Sequence, residues 1–223
     1  MASRSFSHVG LAKLRAFDSV ADVLFEAPAT EVAPQLLGGT VSVDGVTLRI
    51  TEVEAYLGIG IDPGSHAYRR KGVKNATMFG PPGYLYTYFT YGMHVCANVV
   101  CSPEGEASAV LLRAGEVVDG IERARGRRLT SRIDADLASG PARLTLALGI
   151  TLADDGTNLS TGRVRVELPS VEFQSSEFQS SKVPFEQGPR TGVSGPGGEP
   201  SYPWRFWLPG EPTVSLYRRA ARR

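Results

Sequence analysis

The 223-residue chain sets 24 Lys and Arg against 23 Asp and Glu, a formal net charge of +1, with 42% hydrophobic and 21% charged residues. This excludes a disordered or fibrous chain and a uniformly basic surface, so an anionic partner has to be met by local patches. Two cysteines, Cys96 and Cys101, are too few for a disulfide framework, and no stretch has the length of a membrane span or the apolar core of a leader peptide, so a reducing, cytoplasmic setting is expected.

Apolar residues at helical spacing run through residues 6–27 (Leu11, Leu14, Phe17, Val20, Val23, Leu24), behind a flexible tail expected at 1–7. "PATEVAPQLLGG" predicts a short helix capped by Thr30 and ended by Gly38 and Gly39. "TVSVDGVTLRITEVEAYLG" alternates with period two about Asp44-Gly45, a strong hairpin signal. "FGPPGY" is a tight turn feeding "YLYTYFTYG", a strand-length segment holding Tyr84, Tyr86, Tyr88 and Tyr91. "ASAVLLRAGE" (107–116) reads as a buried strand, "IERARGRRL" and "SGPARLTLALGI" as helices, the second with Pro141 in its first turn. "RVRVEL" and "YPWRFWLPG" are strand-like. The tandem "EFQSSEFQSS" (172–181) has the composition of a surface loop, and residues 172–182 are expected to be flexible. With no convincing linker, one domain over 1–223 is expected, an α+β fold with a curved, mainly antiparallel sheet, open-barrel-like, and flanking helices.

Several constellations carry chemistry. On an extended strand Tyr84, Tyr86 and Tyr88 share one face, either a plain aromatic strand or a platform on which bases or sugars stack. In "ITEVEAYLG" alternation puts Ile50, Glu52, Glu54 and Tyr56 on one face. Carboxylates there have to be exposed, paired or functional, because burying one unpaired is costly. Arg69, Arg70, Lys71 and Lys74 follow His66 without an intervening acid, a solvated face or a phosphate grip. "RARGRRLTSR" is a second arginine cluster. His94, Cys96 and Cys101 have poor spacing for a metal, and none is expected; "GVSGPGG" lacks both the dinucleotide-binding spacing and a phosphate-loop lysine. Two readings compete with an enzyme acting on nucleic acid. One is a non-catalytic nucleic-acid-binding module with an aromatic sheet face. The other is a carbohydrate-active enzyme with paired carboxylates, which residues two apart on one strand suit poorly.

The ordered blocks "TEVEAYLG", "DPGSHAYR", "NATMFGPPGYLYTYFTYGMHVCANVV", "AVLLRAGE", "LASGPARLTLALGI" and "GPRTGVSG" resemble those of the alkyladenine (3-methyladenine) DNA glycosylase family, in its bacterial form. The resemblance runs from about Val23 to Tyr217. It implies a cofactor-free, monomeric, nucleoid-associated enzyme that flips alkylated or deaminated purines out of double-stranded DNA and hydrolyses the N-glycosidic bond. It also implies roles. Glu54 activates water, which Arg113 helps hold near the Val193 backbone. Tyr56, His66, Tyr88 and Asn98 form the base pocket, Asn98 disfavouring the amino group of guanine. Tyr91 fills the gap in the duplex, and Tyr84 and Tyr86 are left as structural. Arg69, Arg70 and Lys74 are assigned to phosphates, Lys74 standing where the family pattern has arginine; the tandem pentapeptide has no counterpart. No lysine is placed as a Schiff-base nucleophile, so a monofunctional enzyme leaving an abasic site is expected.

Overall fold

The computed structural model describes residues 24–90, 92–169 and 183–220. The helical spacing of residues 6–23, the tail at 1–7, Tyr91 and the tandem segment lie outside the described residues.

The α+β fold is built on one antiparallel sheet. Strands β1 (Thr40–Val43), β2 (Val46–Leu57), β3 (Leu85–Thr90), β4 (His94–Val100), β5 (Ser108–Asp119) and β6 (Arg165–Glu167) lie in the order β3-β4-β5-β2-β1-β6. Short strands β7 (Glu186–Gly188) and β8 (Arg205–Trp207) extend it, β8 pairing with the second half of β2 while β1 pairs with the first. Strand β2 is thus bonded along both edges, and the sheet curls around it.

The hairpin at Asp44-Gly45 forms as the sequence predicts. Val43 faces Val46, and both turn residues take positive φ (46° and 72°), the two-residue turn whose twist suits a hairpin. Helix α1 (Ala29–Leu36) stops short of Gly38, whose φ is +81°. Its N-cap is Pro28, not Thr30, which lies inside the first turn. The leading N–H of Ala29 is satisfied instead by the Ser108 hydroxyl at 2.8 Å, so a long-range partner replaces the local cap. Helix α2 spans Ile121–Arg127, and α3 (Pro141–Leu148) starts on Pro141 and ends on left-handed Gly149.

One face of the sheet carries the main core. Leu85, Ala97, Val99, Val110, Leu112, Val53 and Ala55 pack there with Ala29, Val32, Leu36, Leu144 and Leu148 from the helices. The opposite face carries a smaller cluster of Met78, Phe79, Tyr86, Val100 and Ala109, with Tyr56 and Tyr88 against it. No helix among the described residues is long and apolar enough to cross a membrane.

The alternation predicted for β2 is broken. Val46, Leu48 and Ile50 are core residues at even positions, but Val53 and Ala55 are core residues at odd ones. The register against β5 shifts on both sides of Glu52, leaving Thr51 and Arg113 without opposite numbers. A bulge of this kind resets which face each side chain takes. Ile50 therefore does not share a face with Glu52, Glu54 and Tyr56, and the two carboxylates leave the core side.

Candidate active site

A cavity of about 430 Å³ opens on the smaller-cluster face, within the ~300–1,000 Å³ typical of small-molecule sites. Its floor is the sheet. Tyr86 and Tyr88 come from β3, Cys96 and Asn98 from β4, Leu111 and Arg113 from β5, and Tyr56 from β2. Period-two alternation on each strand places these pairs on one side. The register sets Tyr86, Asn98, Leu111 and Glu54 in one row across the four strands. The side walls are two loops, Pro63–His66 and Thr191–Ser194.

Glu54 is fully buried and sits one layer behind the cavity wall, so the carboxylate does not itself line the space. Its three partners do. The Tyr56 hydroxyl donates to Oε2 at 2.8 Å, Arg113 Nη1 donates to the same oxygen at 3.3 Å, and the Thr191 N–H donates to Oε1 at 2.7 Å. A carboxylate has about four acceptor positions, so one remains on Oε1. Arg113 spends its Nε on Glu52 at 2.9 Å and its Nη2 on the Ser215 hydroxyl at 3.2 Å. Of the five N–H donors of a guanidinium, two therefore stay free beside the cavity. Burial works against the Arg113 charge, but Glu54 and Glu52 outweigh it and hold its pKa above the ordinary arginine value.

Glu52, the neighbouring carboxylate, has a different environment. It accepts from Arg113, from Arg205 Nε at 2.6 Å, and from the Ser215 N–H and hydroxyl at 2.8 and 2.9 Å. It does not line the cavity, and of its donors only Arg113 is shared with Glu54. The paired acid and nucleophile of a sugar-cleaving enzyme are thus not supplied by Glu52 and Glu54.

The aromatic side of the cavity is built from ring-to-ring contacts. His66 meets Tyr88 edge-on with centroids 4.6 Å apart, and Tyr86 lies 5.6 Å from Tyr88, tilted by 34°. Burial raises the pKa of Tyr88, Tyr86 and Tyr56, the last reinforced by Glu54. Burial lowers that of His66 and raises that of Cys96. These cavity-wall groups consequently favour their neutral forms near pH 7. Asn98 donates to the Tyr86 carbonyl at 3.0 Å, which fixes its amide plane at the floor. Tyr86 is therefore a cavity residue as well as a structural one, anchored through its hydroxyl on the Lys74 carbonyl at 3.2 Å.

Sequence reasoning missed the residue that joins the two walls. Arg190, fully buried, forks onto Asp62 with both N···O distances 2.6 Å and also donates to the carbonyls of Ala55 and Gly197. Its guanidinium covers the Tyr56 ring at 4.4 Å. Gly64 and Gly197 have no side chain for a steric reason. A Cβ on Gly64 would lie 2.5 Å from Arg190 Nη2, and one on Gly197 would lie 2.3 Å from the Gly64 nitrogen. The acid-plus-arginine pairing, 128 residues apart in sequence, left no local signal.

The basic residues divide. Arg69, Arg70 and Lys74 are exposed and have no ion-pair partner among the described residues. Asn75 ties their loop down, accepting from the Gly72 N–H and donating to the carbonyls of His66 and Arg70. Most of the second arginine cluster is spent on structure. Arg125 pairs with Asp134 and Glu122, Arg128 with Asp136 and the Leu137 carbonyl, and Arg127 holds the Ala147 carbonyl. Cys96 and Cys101 are buried free thiols. Among the described residues no group of three or more His, Cys, Asp and Glu side chains is placed to hold a metal.

A carboxylate with a spare acceptor, an arginine with spare donors and a ring-lined cavity thus meet at one place on the sheet. A model of the family described as "Methylpurine-DNA glycosylase (MPG)" matches residues 23–212. The chain belongs to that family, and is a DNA repair glycosylase, a hydrolase of N-glycosyl bonds. It is 57% identical over 206 residues to a protein of Leifsonia xyli subsp. xyli, covering 87% of this chain and 91% of that one. Identity is 52% over 201 residues to a Streptomyces avermitilis protein (87% and 89% covered) and 48% over 210 residues to one of Nocardia farcinica (92% and 93%). Each of the three bears the name "Putative 3-methyladenine DNA glycosylase".

Proposed function

We propose that this enzyme, working as a monomer on duplex DNA, receives an everted alkylated purine in the ring-lined cavity and cleaves its N-glycosidic bond with a water activated by Glu54. The observation that carries this reading is the placement of Glu54. Its carboxylate is joined directly to three cavity-wall groups, Tyr56, Arg113 and Thr191.

The water would sit at the seam between Arg113 and the Thr191–Val193 backbone. There it would donate to the remaining acceptor position of Glu54 Oε1 and accept from a free Arg113 N–H. Cleavage builds positive charge on the sugar, which a carboxylate stabilises while it takes the proton of the water. The base would stack on Tyr56 and Tyr88, with Asn98 at the floor excluding guanine.

Eversion costs a few kcal/mol, less for a damaged base. Stacking returns about 1–3 kcal/mol per base, so two rings come close to balancing it. A wedge in the vacated stack opposes return; Tyr91 is assigned that role on the family resemblance. A purine alkylated at N3 or N7 is cationic, which makes it a good leaving group and adds about 0.5–2 kcal/mol over a ring face. A cavity wall of neutral side chains places no competing charge against it except Arg113. Arg69, Arg70 and Lys74 would contact phosphates.

The test is Glu54→Gln, which keeps the shape and removes the base. Excision of 3-methyladenine from a duplex should fall about 10²- to 10⁴-fold, the usual contribution of a positioned acid or base, while lesion-duplex affinity stays near wild type. Undiminished excision refutes the assignment. Borohydride should trap no protein–DNA adduct.

A further inference from the structure

We propose that the C-terminal strap, residues 213–219, is a positioning element of the excision site, acting through Ser215 on Arg113 and through the Arg218 carbonyl on the loop that holds Glu54. This deepens the reading of function above and rests on it. The strap lies beyond residue 212, where the family match ends.

The strap's contacts are concentrated behind the site. Ser215 gives both its N–H and its hydroxyl proton to Glu52, at 2.8 and 2.9 Å. The same hydroxyl oxygen accepts from Arg113 Nη2 at 3.2 Å, and the Ser215 carbonyl accepts from Arg205 Nη2 at 2.7 Å. Three residues on, the Arg218 carbonyl accepts the Gly192 N–H at 2.8 Å. Gly192 adjoins Thr191, whose own N–H holds Glu54 Oε1 at 2.7 Å. One segment therefore fixes both sides of the proposed water site, the guanidinium and the loop.

Hydrophobic packing does not explain this course. Between those two anchor points Leu216 is 80% exposed and Tyr217 46% exposed. Apart from buried Thr213, bonded to Thr51, a turn bond from the Val214 N–H to the Glu211 carbonyl and a surface pair of Arg219 with Glu199, the polar contacts given for the strap go to the residues behind the site.

The geometry gives Ser215 leverage. Arg113 touches Glu52 at Nε, Ser215 at Nη2 and Glu54 at Nη1, and the Glu54 contact is the longest at 3.3 Å. A planar guanidinium pinned at Nε alone can tilt; the second point at Nη2 sets where Nη1 aims. Hydrogen bonds weaken steeply off axis, so a small tilt detaches Arg113 from Glu54 and from the water they share.

The experiment compares Ser215→Ala and Ser215→Thr with wild type in single-turnover excision. Enzyme is in saturating excess over a duplex bearing one 3-methyladenine. Under those conditions the rate constant does not depend on the folded fraction, so a merely stabilising serine would leave it unmoved. The expected result is a loss of about tenfold to a hundredfold for Ala, the scale of misplacing a reacting group by a fraction of an ångström to an ångström. Duplex affinity should be unchanged, and Thr should restore most of the rate. A wild-type rate constant in Ser215→Ala overturns the proposal, as does equal slowing by Ala and Thr. Absence of base release by the wild-type enzyme overturns the reading of function itself, and the strap's role with it.

Discussion

Arg190→Met is the most severe single test of how the two cavity walls are joined. The substitution keeps the apolar stem and removes the guanidinium, leaving Asp62 fully buried without its counter-ion. Asp62 would retain only the N–H groups of Leu57 and Gly64, at 3.1 and 2.9 Å. Removing one member of a buried ion pair costs about 3–5 kcal/mol, mostly because the survivor is stranded. Here the carbonyls of Ala55 and Gly197 also lose their donor, and the Tyr56 ring loses its cover. For a domain of this size each kcal/mol lowers Tm by roughly 2–4 °C, so a fall of roughly 6–20 °C is expected. Urea denaturation of Arg190→Met, Asp62→Asn and the double variant measures the effect and its coupling. Asp62→Asn with Arg190→Met should recover part of the loss, since no unpaired charge remains. A single-variant loss below about 1 kcal/mol, the range of an exposed pair, would refute the claim that this ion pair joins the walls.

Two further outcomes are expected. Burial lowers the His66 pKa from 6.5, so the folded state binds this proton less readily than the unfolded one. The neutral ring's contribution to stability is then complete above pH 6.5 and declines as pH falls from there towards the folded pKa. A charged imidazole against Tyr88 also repels a cationic base, so the affinity for an alkylated duplex should weaken on the acid side; His66→Gln should flatten that limb in a pH series of binding titrations. Neutralising Arg69, Arg70 and Lys74 should weaken duplex binding and reduce the slope of log K against log salt by about 0.9 for each residue that contacts a phosphate. An unchanged slope would place the duplex on another surface.

Much of the architecture was legible because its signals are local. Asp44-Gly45 needs positive φ at both residues and shows it, and Pro141 opens its helix as its fixed φ favours, while left-handed Gly149 ends it before the last two residues of the predicted run. Strand β5 was readable from the run 107–116 alone. The Thr30 cap was misread because the partner that satisfies the leading N–H, Ser108, comes from a strand 79 residues from Ala29. Tyr86 could not be told from Tyr84 by alternation, since both have the same parity. The difference is that Tyr84 bridges to Asn158 at the strand's entry, while Tyr86 lies in the row with Asn98 and Leu111. Arg190 and Ser215 were invisible because their partners are brought in only by tertiary folding, through the Asp62 loop and Glu52.

The twin carboxylates show how a backbone irregularity converts an unfavourable pattern into a usable one. Read as a regular strand, Glu52 and Glu54 share a face with Ile50, which would bury two charges in the apolar core at a cost no fold of ordinary stability sustains. The bulge around Thr51 rotates that stretch, so Val53 and Ala55 take the core positions and the acids face the other way. The same irregularity leaves Arg113 unopposed on β5, where it reaches both carboxylates at once. From there the two diverge by neighbourhood alone. Glu52 takes four hydrogen bonds, from two arginines and Ser215, away from the cavity lining, and so anchors Arg113. Glu54 keeps an acceptor position spare beside the cavity wall. The anchor and the proposed base are chemically identical side chains two residues apart, and what separates them is which partners the fold has given to each: Arg205 and Ser215 for Glu52, the cavity-wall groups Tyr56 and Thr191 for Glu54.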